Sequence, residues 1–165
     1  MSLVSRAHPD PSEVVRGASD ADLTELGVHL GFPVPSELAD WLRVCRGSTA
    51  GPGGLFGIGN AVDGLNISGY LTWFPEWRES GWIPVAGDGT GNYYILDVGR
   101  TGHPVGFVEP SETVSEVQYF VASGLGVFLR ELLVHEISSN RWPFDRDYVE
   151  RVDTAVLALE PLPWN

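Results

Sequence analysis

The stretch of sequence that comes closest to a chemical motif is Asp88-Gly89-Thr90-Gly91-Asn92, whose first, third and fifth side chains carry oxygen atoms. Calcium loops of the EF-hand type begin in this way, but they also need a bidentate glutamate at the twelfth position, and Gly99 stands there. The glycines of the stretch also lack the spacing of a dinucleotide-binding fingerprint. We therefore predict a polar hairpin turn, because glycine and asparagine tolerate the positive φ angles that tight turns require.

Other catalytic and metal-binding patterns are incomplete as well. His135-Glu136 opens like a zinc-protease helix, but Ser139 occupies the position of the required second histidine. All ten basic residues are arginines, which excludes a P-loop lysine, a Schiff-base lysine and a Ser-x-x-Lys nucleophile. Cys45 lies on an apolar helical stripe, where a thiol packs as a small hydrophobic group. The sequence thus predicts no catalytic residues, no bound metal and no cofactor, and we expect that the protein is not an enzyme.

The charge balance of the chain is strongly acidic. Its 165 residues include 22 acidic and 10 basic side chains, which gives a net charge of -12. Nucleic-acid contacts need clustered positive charge, and anionic membrane surfaces attract basic segments, so we expect neither partner. A positively charged protein partner fits this balance. The alternative is that the acidity only keeps the protein soluble.

Length and composition predict one globular domain that needs no covalent cross-link. A chain of this size buries about 70% of the surface of its unfolded form, and the single cysteine excludes an internal disulfide. Residues 1–11 lack the apolar core of a signal peptide, and no apolar run approaches the ~18 residues of a membrane span. We expect a cytoplasmic protein with a weakly ordered leader at residues 1–18 and a single domain at residues 19–165.

The predicted centre of the fold is the β-hairpin on either side of the polar turn. Trp82 to Ala86 and Tyr93 to Val98 are rich in apolar, β-branched and aromatic residues, the usual content of half-buried strands. Pro104 to Val108 continues the pattern as a third strand of a meander. Since side chains alternate along a strand, only one of Tyr93 and Tyr94 can face the core side.

Helices are predicted around this sheet from the spacing of apolar residues. The first is bounded by Ser19 as its N-cap and by Gly31 as its stop, and the second runs from Pro35 to Gly47. The remaining predicted elements are a short strand and three helical stretches, at residues 55–58, 67–80 with a break near Pro75, 125–137 and 145–159. Residues 117–122 fit either a strand or the start of a helix.

The order of these features resembles that of a known family. The segments that carry the resemblance are a glycine-closed helix with a proline connector, the Trp82–Ala86 strand with its polar turn, the strand ending in Leu96-Asp97, the Gly102–Val108 strand and the Ser123–Leu129 helix start. Over about residues 19–135 the chain resembles the SUKH superfamily (SMI1/KNR4-like), whose bacterial members are largely immunity proteins against polymorphic toxins. Two departures are a glycine-rich loop at residues 48–54, and Gly124 and Gly126 where bulkier residues are expected.

The resemblance implies an α+β fold, a single domain with a central, mainly antiparallel sheet and helices packed around it. It also implies a binding role, in which the protein neutralises a cognate toxin by covering the toxin's active site. Combined with the acidity, this predicts a toxin with a basic surface, such as a nuclease or a nucleic-acid deaminase. The alternative is a protein-interaction or regulatory scaffold of the same fold. The oligomeric state stays open.

The predicted partner contacts lie near the loops of the meander. They are acidic side chains suited to electrostatic steering and one aromatic residue of the kind that anchors interfaces: Asp63, Glu76, Glu79, Asp88, Asp97 and Tyr93. A run of aromatic residues is expected to belong mainly to the core, with one or two members available for a partner groove: Trp73, Phe74, Trp77 and Trp82.

Overall fold

The computed structural model describes residues 17–59, 64–110, 116–138 and 140–165. In chain order its helices are α1 (Asp20–Leu30), α2 (Ser36–Val44), α3 (Ile67–Trp73), α4 (Pro75–Glu79), α5 (Leu125–Ser138) and α6 (Arg146–Val152), and a 3-10 helix follows at Thr154–Ala158. The strands are β1 (Trp82–Gly87), β2 (Tyr93–Asp97), β3 (Val105–Val108) and β4 (Val117–Ala122). Within the described residues, none of the helices combines the length and apolar character needed to cross a bilayer.

Each strand of the sheet pairs with the next strand along the chain. The order is β1-β2-β3-β4, and every pairing is antiparallel. Tyr94 lies opposite Phe107, which in turn lies opposite Tyr119. Residues 117–122 are therefore a strand, because β3 supplies the pairing partner that decides between the two alternatives. Helices pack around this antiparallel sheet, which confirms the predicted α+β fold.

Two predicted elements differ from the structure. The segment at residues 55–58 makes isolated bridges instead of a strand, and Leu55 pairs with both Ser48 and Ala86. The helix predicted over residues 145–159 stops at Val152, because Asp153 leaves the helical region with φ -151° and ψ 69°. The Asp153 carboxylate accepts hydrogen bonds from the Ser123 N–H (2.7 Å) and hydroxyl (2.6 Å). This tie to the start of α5 diverts the chain into the 3-10 helix.

The sheet carries a hydrophobic core on each of its faces. Tyr93 and Tyr94 point to opposite sides, as the alternation along a strand requires. Both rings nevertheless pack against the core, so the prediction that only one of them faces it is wrong, because the sheet is covered on both faces. The Tyr93 ring contacts the fully buried Trp77 of α4 at a centroid distance of 5.4 Å. The Tyr94 ring lies 5.3 Å from Phe107 and 5.1 Å from the fully buried Phe128 of α5. Helices α3 and α4 therefore cover one face and α5 covers the other.

Local signals set the ends of α1 and α2. Ser19 and Asp22 form a capping box, in which the Ser19 hydroxyl oxygen accepts the Asp22 N–H at 3.2 Å and the Asp22 carboxylate accepts the Ser19 N–H at 2.8 Å. Gly31 ends α1 at a φ of 81°, which glycine adopts without steric cost. Cys45 follows α2 and is fully buried, and this burial raises the pKa of its thiol.

The start of α5 is capped by a residue from α2. The Glu37 carboxylate accepts hydrogen bonds from the N–H groups of Leu125 (3.3 Å) and Gly126 (2.7 Å). Such N–H groups have no partner within their own helix, and negative charge is favoured beside them. A Cβ on Gly126 would lie 2.9 Å from Glu37 Oε1. A side chain at position 126 would therefore crowd the capping carboxylate, which glycine does not.

Both outer edges of the sheet contact other segments of the chain. Along β1, the Phe56 N–H donates to the Val85 carbonyl (2.9 Å) and the Gly87 N–H donates to the Gly54 carbonyl (3.1 Å). Along β4, the Phe120 N–H donates to the Pro161 carbonyl (2.9 Å). The glycine-rich loop and its continuation therefore flank one side of the sheet, and the C-terminal tail flanks the other.

Candidate functional site

The β1–β2 turn holds an ionised carboxylate at the surface. Asp88 Oδ1 accepts hydrogen bonds from the N–H groups of Thr90 (2.7 Å) and Asn92 (3.0 Å), and Oδ2 accepts from the Thr90 hydroxyl (2.6 Å) and the Asn92 amide (2.8 Å). Burial opposes the charge, but these four bonds outweigh it, so the pKa of Asp88 lies below its ordinary value. The predicted polar turn therefore carries a fixed negative charge at neutral pH.

Beside the turn lies a group of six rings, which we call the aromatic cluster: Phe56, Tyr70, Trp73, Phe74, Trp77 and Tyr93. Tyr93 is central to it, and its centroid lies 5.1 Å from that of Tyr70 and 5.6 Å from that of Phe74. Trp77 is fully buried, whereas Trp73 is 67% exposed and meets Tyr70 edge-on at 5.4 Å. The cluster thus extends from the core to the surface, and an exposed tryptophan backed by packed rings suits an interface anchor.

A small pocket lies between the turn and the aromatic cluster. This turn pocket has a volume of about 120 Å³ and is lined by glycines, three rings and one amide: Gly53, Gly87, Gly89, Gly91, Phe56, Tyr70, Tyr93 and Asn92. A Cβ on Gly53 would lie 2.4 Å from the carbonyl carbon of Gly87 and 2.5 Å from the nitrogen of Gly89. The glycine-rich loop therefore meets the turn backbone to backbone at Gly53, where a side chain would not fit.

The structure brings two of the predicted contact residues together. Asp88 and Tyr93 share the surface of the turn, where burial and then the Asp88 charge raise the pKa of the Tyr93 phenol. Glu76 and Glu79 are exposed on α4 three positions apart, a spacing that places them on the same side of a helix. Asp63 lies outside the described residues.

Asp97 stands at the opposite end of β2 from the turn and is only 6% exposed. Its carboxylate accepts a hydrogen bond from the Gly99 N–H (3.0 Å) and lies 3.4 Å from Arg100 Nε. Burial raises the pKa of Asp97 despite these partners. This position gives the side chain a role in holding the β2–β3 turn and leaves little of the carboxylate for a partner.

Sequence reasoning does not single out Trp73 as a surface residue. The aromatic run is predicted to lie mainly in the core, with one or two members available for a partner, and this prediction does not say that Trp77 is the buried member and Trp73 the exposed one. The chain breaks at Phe74, with φ -124° and ψ 71°, so α3 and α4 do not share one helical pattern. A usable signal is the spacing within α3 alone, because Trp73 follows the buried Leu71 by two residues and so lies on the opposite side.

A second concave surface lies between α1 and α2. This groove has a volume of about 660 Å³ and a largely apolar lining that includes Val28, which is 77% exposed, and Phe32. An ion pair between Asp20 and Arg43 (3.1 Å) spans the two helices beside it. Among the described residues, no group of three or more histidine, cysteine, aspartate or glutamate side chains is arranged to hold a metal ion. The groove between α1 and α2 is largely apolar, whereas the turn pocket lies beside both the ionised Asp88 and the exposed Trp73. We therefore take the turn pocket with the aromatic cluster as the candidate site.

Comparison with known proteins identifies one matching family. The family model described as the SMI1 / KNR4 family (SUKH-1) matches residues 17–131. The matched range contains α1 to α4, the whole sheet and the first half of α5. No curated protein matches the chain at a significant level.

Proposed function

The chain belongs to the SMI1/KNR4 family (SUKH-1), and from this premise we propose that it is an immunity protein that binds a cognate toxin and covers the toxin's active site. The observation that carries the proposal is the family match itself, whose range of residues 17–131 contains both the turn pocket and the aromatic cluster. Bacterial proteins of the wider SUKH superfamily are largely immunity proteins. Such a protein acts by binding alone and needs no catalytic residues.

The charge of the chain supports a partner with a basic surface. Proteins that act on nucleic acids bind phosphate groups through clustered arginine and lysine, and this chain has a net charge of -12. Opposite charges accelerate association, and salt weakens this effect by screening. We therefore propose that the toxin is a nuclease or a nucleic-acid deaminase whose positive cleft attracts the acidic immunity protein.

The proposed contact surface is the region of the turn and the aromatic cluster. Its members are acidic and aromatic side chains that are exposed or half-exposed: Trp73, Glu76, Glu79, Asp88 and Tyr93. The rings supply the apolar area that anchors an interface, and the carboxylates supply the steering charge. Asp63 completes the predicted set, and Asp97, only 6% exposed at the far end of β2, offers little of its carboxylate to this surface.

Growth rescue is the direct test of the immunity proposal. A toxin encoded beside this gene is expressed in a sensitive host with and without the full chain, and the chain should restore growth. A folded, expressed chain that gives no protection rejects the proposal. If the chain instead binds a protein that is not toxic to the host, the regulatory-scaffold alternative is correct.

A binding measurement with two matched aromatic substitutions tests the contact surface. Trp73→Ala should weaken toxin binding at least about tenfold, because anchor tryptophans commonly contribute more than about 1.4 kcal/mol. Phe144→Ala is the control, since Phe144 is also an exposed aromatic residue, at 59%, but lies outside the aromatic cluster. Equal effects of the two substitutions contradict the proposed surface. An association rate that does not change with salt contradicts the electrostatic part.

A further inference from the structure

We propose that the turn pocket binds an arginine side chain of the partner, with its guanidinium group against the aromatic rings and beside the carboxylate of Asp88. The identity of the partner rests on the proposed function, because the arginine would belong to the basic surface of the toxin. The chemistry of the pocket does not depend on that identity. The two ideas can therefore be tested separately.

Aromatic rings form one wall of the pocket. Phe56 and Tyr70 are stacked, with centroids 4.2 Å apart and an interplanar angle of 15°. Tyr93 meets Tyr70 at 62° with a centroid distance of 5.1 Å. The faces of aromatic rings attract cations, and a planar guanidinium group stacks on them better than a compact ammonium group does. Phe56 is buried behind this stack, so the half-exposed Tyr70 and Tyr93 are the rings accessible to a guanidinium group, and they favour arginine over lysine.

Glycines leave the opposite wall without side chains. Gly87, Gly89 and Gly91 come from the turn and Gly53 faces them from the glycine-rich loop. A Cβ on Gly91 would meet nothing within 4 Å, and its φ of 104° is one that glycine adopts readily. The volume of about 120 Å³ corresponds to about four water molecules, which is enough for a guanidinium group.

Asp88 supplies the negative charge beside the pocket. In the chain it stands between Gly87 and Gly89, which both line the pocket. The ion pairs formed among the described residues do not include Asp88, so the described part of the chain does not neutralise this carboxylate. Four hydrogen bonds hold the carboxylate in the turn, so it acts on a cation in the pocket through space, as it acts on the neighbouring Tyr93, whose pKa is raised by burial and then by the Asp88 charge. A cation that enters the pocket would gain from both the rings and the charge.

Titration of the full chain with N-acetyl-arginine amide, followed by the NMR shifts of backbone amides, tests the inference. Saturable shifts are expected at Gly53, Gly89 and Gly91, with a dissociation constant of about 1–10 mM for a single side-chain contact. N-acetyl-citrulline amide has the same shape without the charge and is the matched probe. At equal ionic strength it should give no saturable shift. N-acetyl-lysine amide should bind at least about threefold more weakly than the arginine probe, because ammonium stacks poorly on rings.

Two variants locate the binding. Asp88→Asn removes the charge but keeps an oxygen that accepts the Thr90 and Asn92 N–H groups, which both donate to one carboxylate oxygen. It should weaken the arginine probe at least about threefold, whereas Glu136→Gln, the same change of charge at an exposed position on α5, should not. Tyr70→Leu removes one ring of the wall and should also weaken binding about threefold or more.

The outcomes separate the pocket from the proposed function. No saturable shift at these glycines, equal binding of citrulline, equal binding of lysine, or an unchanged affinity of Asp88→Asn each overturns the arginine assignment, whatever growth rescue shows. If the arginine probe binds as expected but the chain gives no protection against the toxin, the pocket stands and the immunity proposal falls.

Discussion

Removing the Glu37 carboxylate should destabilise the domain more than removing an exposed carboxylate that caps nothing. Glu37→Ala leaves the N–H groups of Leu125 and Gly126 without their acceptor. These two bonds join residues that are 88 and 89 positions apart in the chain. The cap therefore holds α2 against α5 in addition to satisfying the first turn of α5.

The size of the effect follows from the two helix ends that share this carboxylate. Loss of a helix cap costs about 0.5–2 kcal/mol, and Glu37 also stands in the first turn of α2, where negative charge contributes about 0.3–1 kcal/mol. The better helix propensity of alanine returns about 0.3 kcal/mol. Because Glu37 is solvent-exposed, screening places the result in the lower part of the range. We expect the free energy of unfolding to fall by about 1–1.5 kcal/mol and Tm by about 3–5 °C.

Urea denaturation followed by tryptophan fluorescence measures this change as a shift of the midpoint at constant slope. Glu25→Ala is the matched control, because Glu25 is an exposed glutamate of α1 whose carboxylate lies 4.0 Å from His29 Nε2. The control should change stability by less than about 0.5 kcal/mol. If Glu37→Ala and Glu25→Ala have equal effects, the cap contributes nothing.

A double-mutant cycle with Gly126→Ala gives a stricter test. Alanine stabilises a helix by up to about 1 kcal/mol relative to glycine. In the wild-type background the new Cβ lies 2.9 Å from Glu37 Oε1, so we expect it to displace the capping carboxylate and to lose this stabilisation again. In the Glu37→Ala background the stabilisation by alanine should appear in full. The expected coupling energy is about 0.5–1 kcal/mol, and additive effects would refute the reasoning.

Three further predictions concern other parts of the molecule. Gly53→Ala should lower the free energy of unfolding, measured by denaturation, by about 2 kcal/mol or more, because its Cβ would lie 2.4 Å from the backbone of the β1–β2 turn. Gly69→Ala is the control and should not destabilise the protein, because the nearest atom to its Cβ is 3.9 Å away. Tyr148→Phe should lower the free energy of unfolding by about 1–3 kcal/mol, since it removes the hydroxyl that donates at 2.7 Å to the buried carboxylate of Glu131. An unchanged denaturation midpoint would mean that this hydrogen bond contributes no net stability. Burial, followed by nearby carboxylates, raises the pKa of Tyr119 to about 12 from an ordinary value of 10.0. The unfolded chain therefore loses this proton at a lower pH than the folded chain, and the free energy of unfolding should fall as the pH rises from 10.0 toward about 12. Ionisation of this phenol below that range, in an ultraviolet titration of the folded protein, would contradict the assignment.

The elements that sequence reasoning predicts correctly depend on local interactions. Ser19 and Gly31 bound α1 through contacts within a few residues, and the β1–β2 hairpin follows from a turn that hydrogen-bonds to itself. Residues 117–122 stay ambiguous in sequence because their conformation depends on pairing with β3. The glycines at the start of α5 look unfavourable in sequence because their partner, Glu37, is far away along the chain.

In the candidate site, too, the features that depend on local sequence are predictable and those that depend on tertiary contacts are not. Asp88 and Tyr93 are recognisable from the turn and the strand that follows it, and the structure places them together. The exposure of Trp73 depends on the break between α3 and α4, and the burial of Asp97 depends on the turn that its carboxylate holds. The turn pocket needs the glycine-rich loop to reach the turn, which is a tertiary contact that no local pattern encodes.

The flanked edges of the sheet limit how another chain can bind this one. A strand with unpaired backbone groups invites strand addition by a partner peptide or by a second copy of the protein. Here the Val85 carbonyl and the Gly87 N–H already have partners, Pro84 has no N–H to offer, and the Phe120 N–H is engaged by the tail. A visiting β-strand would first have to displace one of these segments. Strand addition at these positions is therefore disfavoured, and we expect a partner of this chain to contact its side chains without extending the sheet.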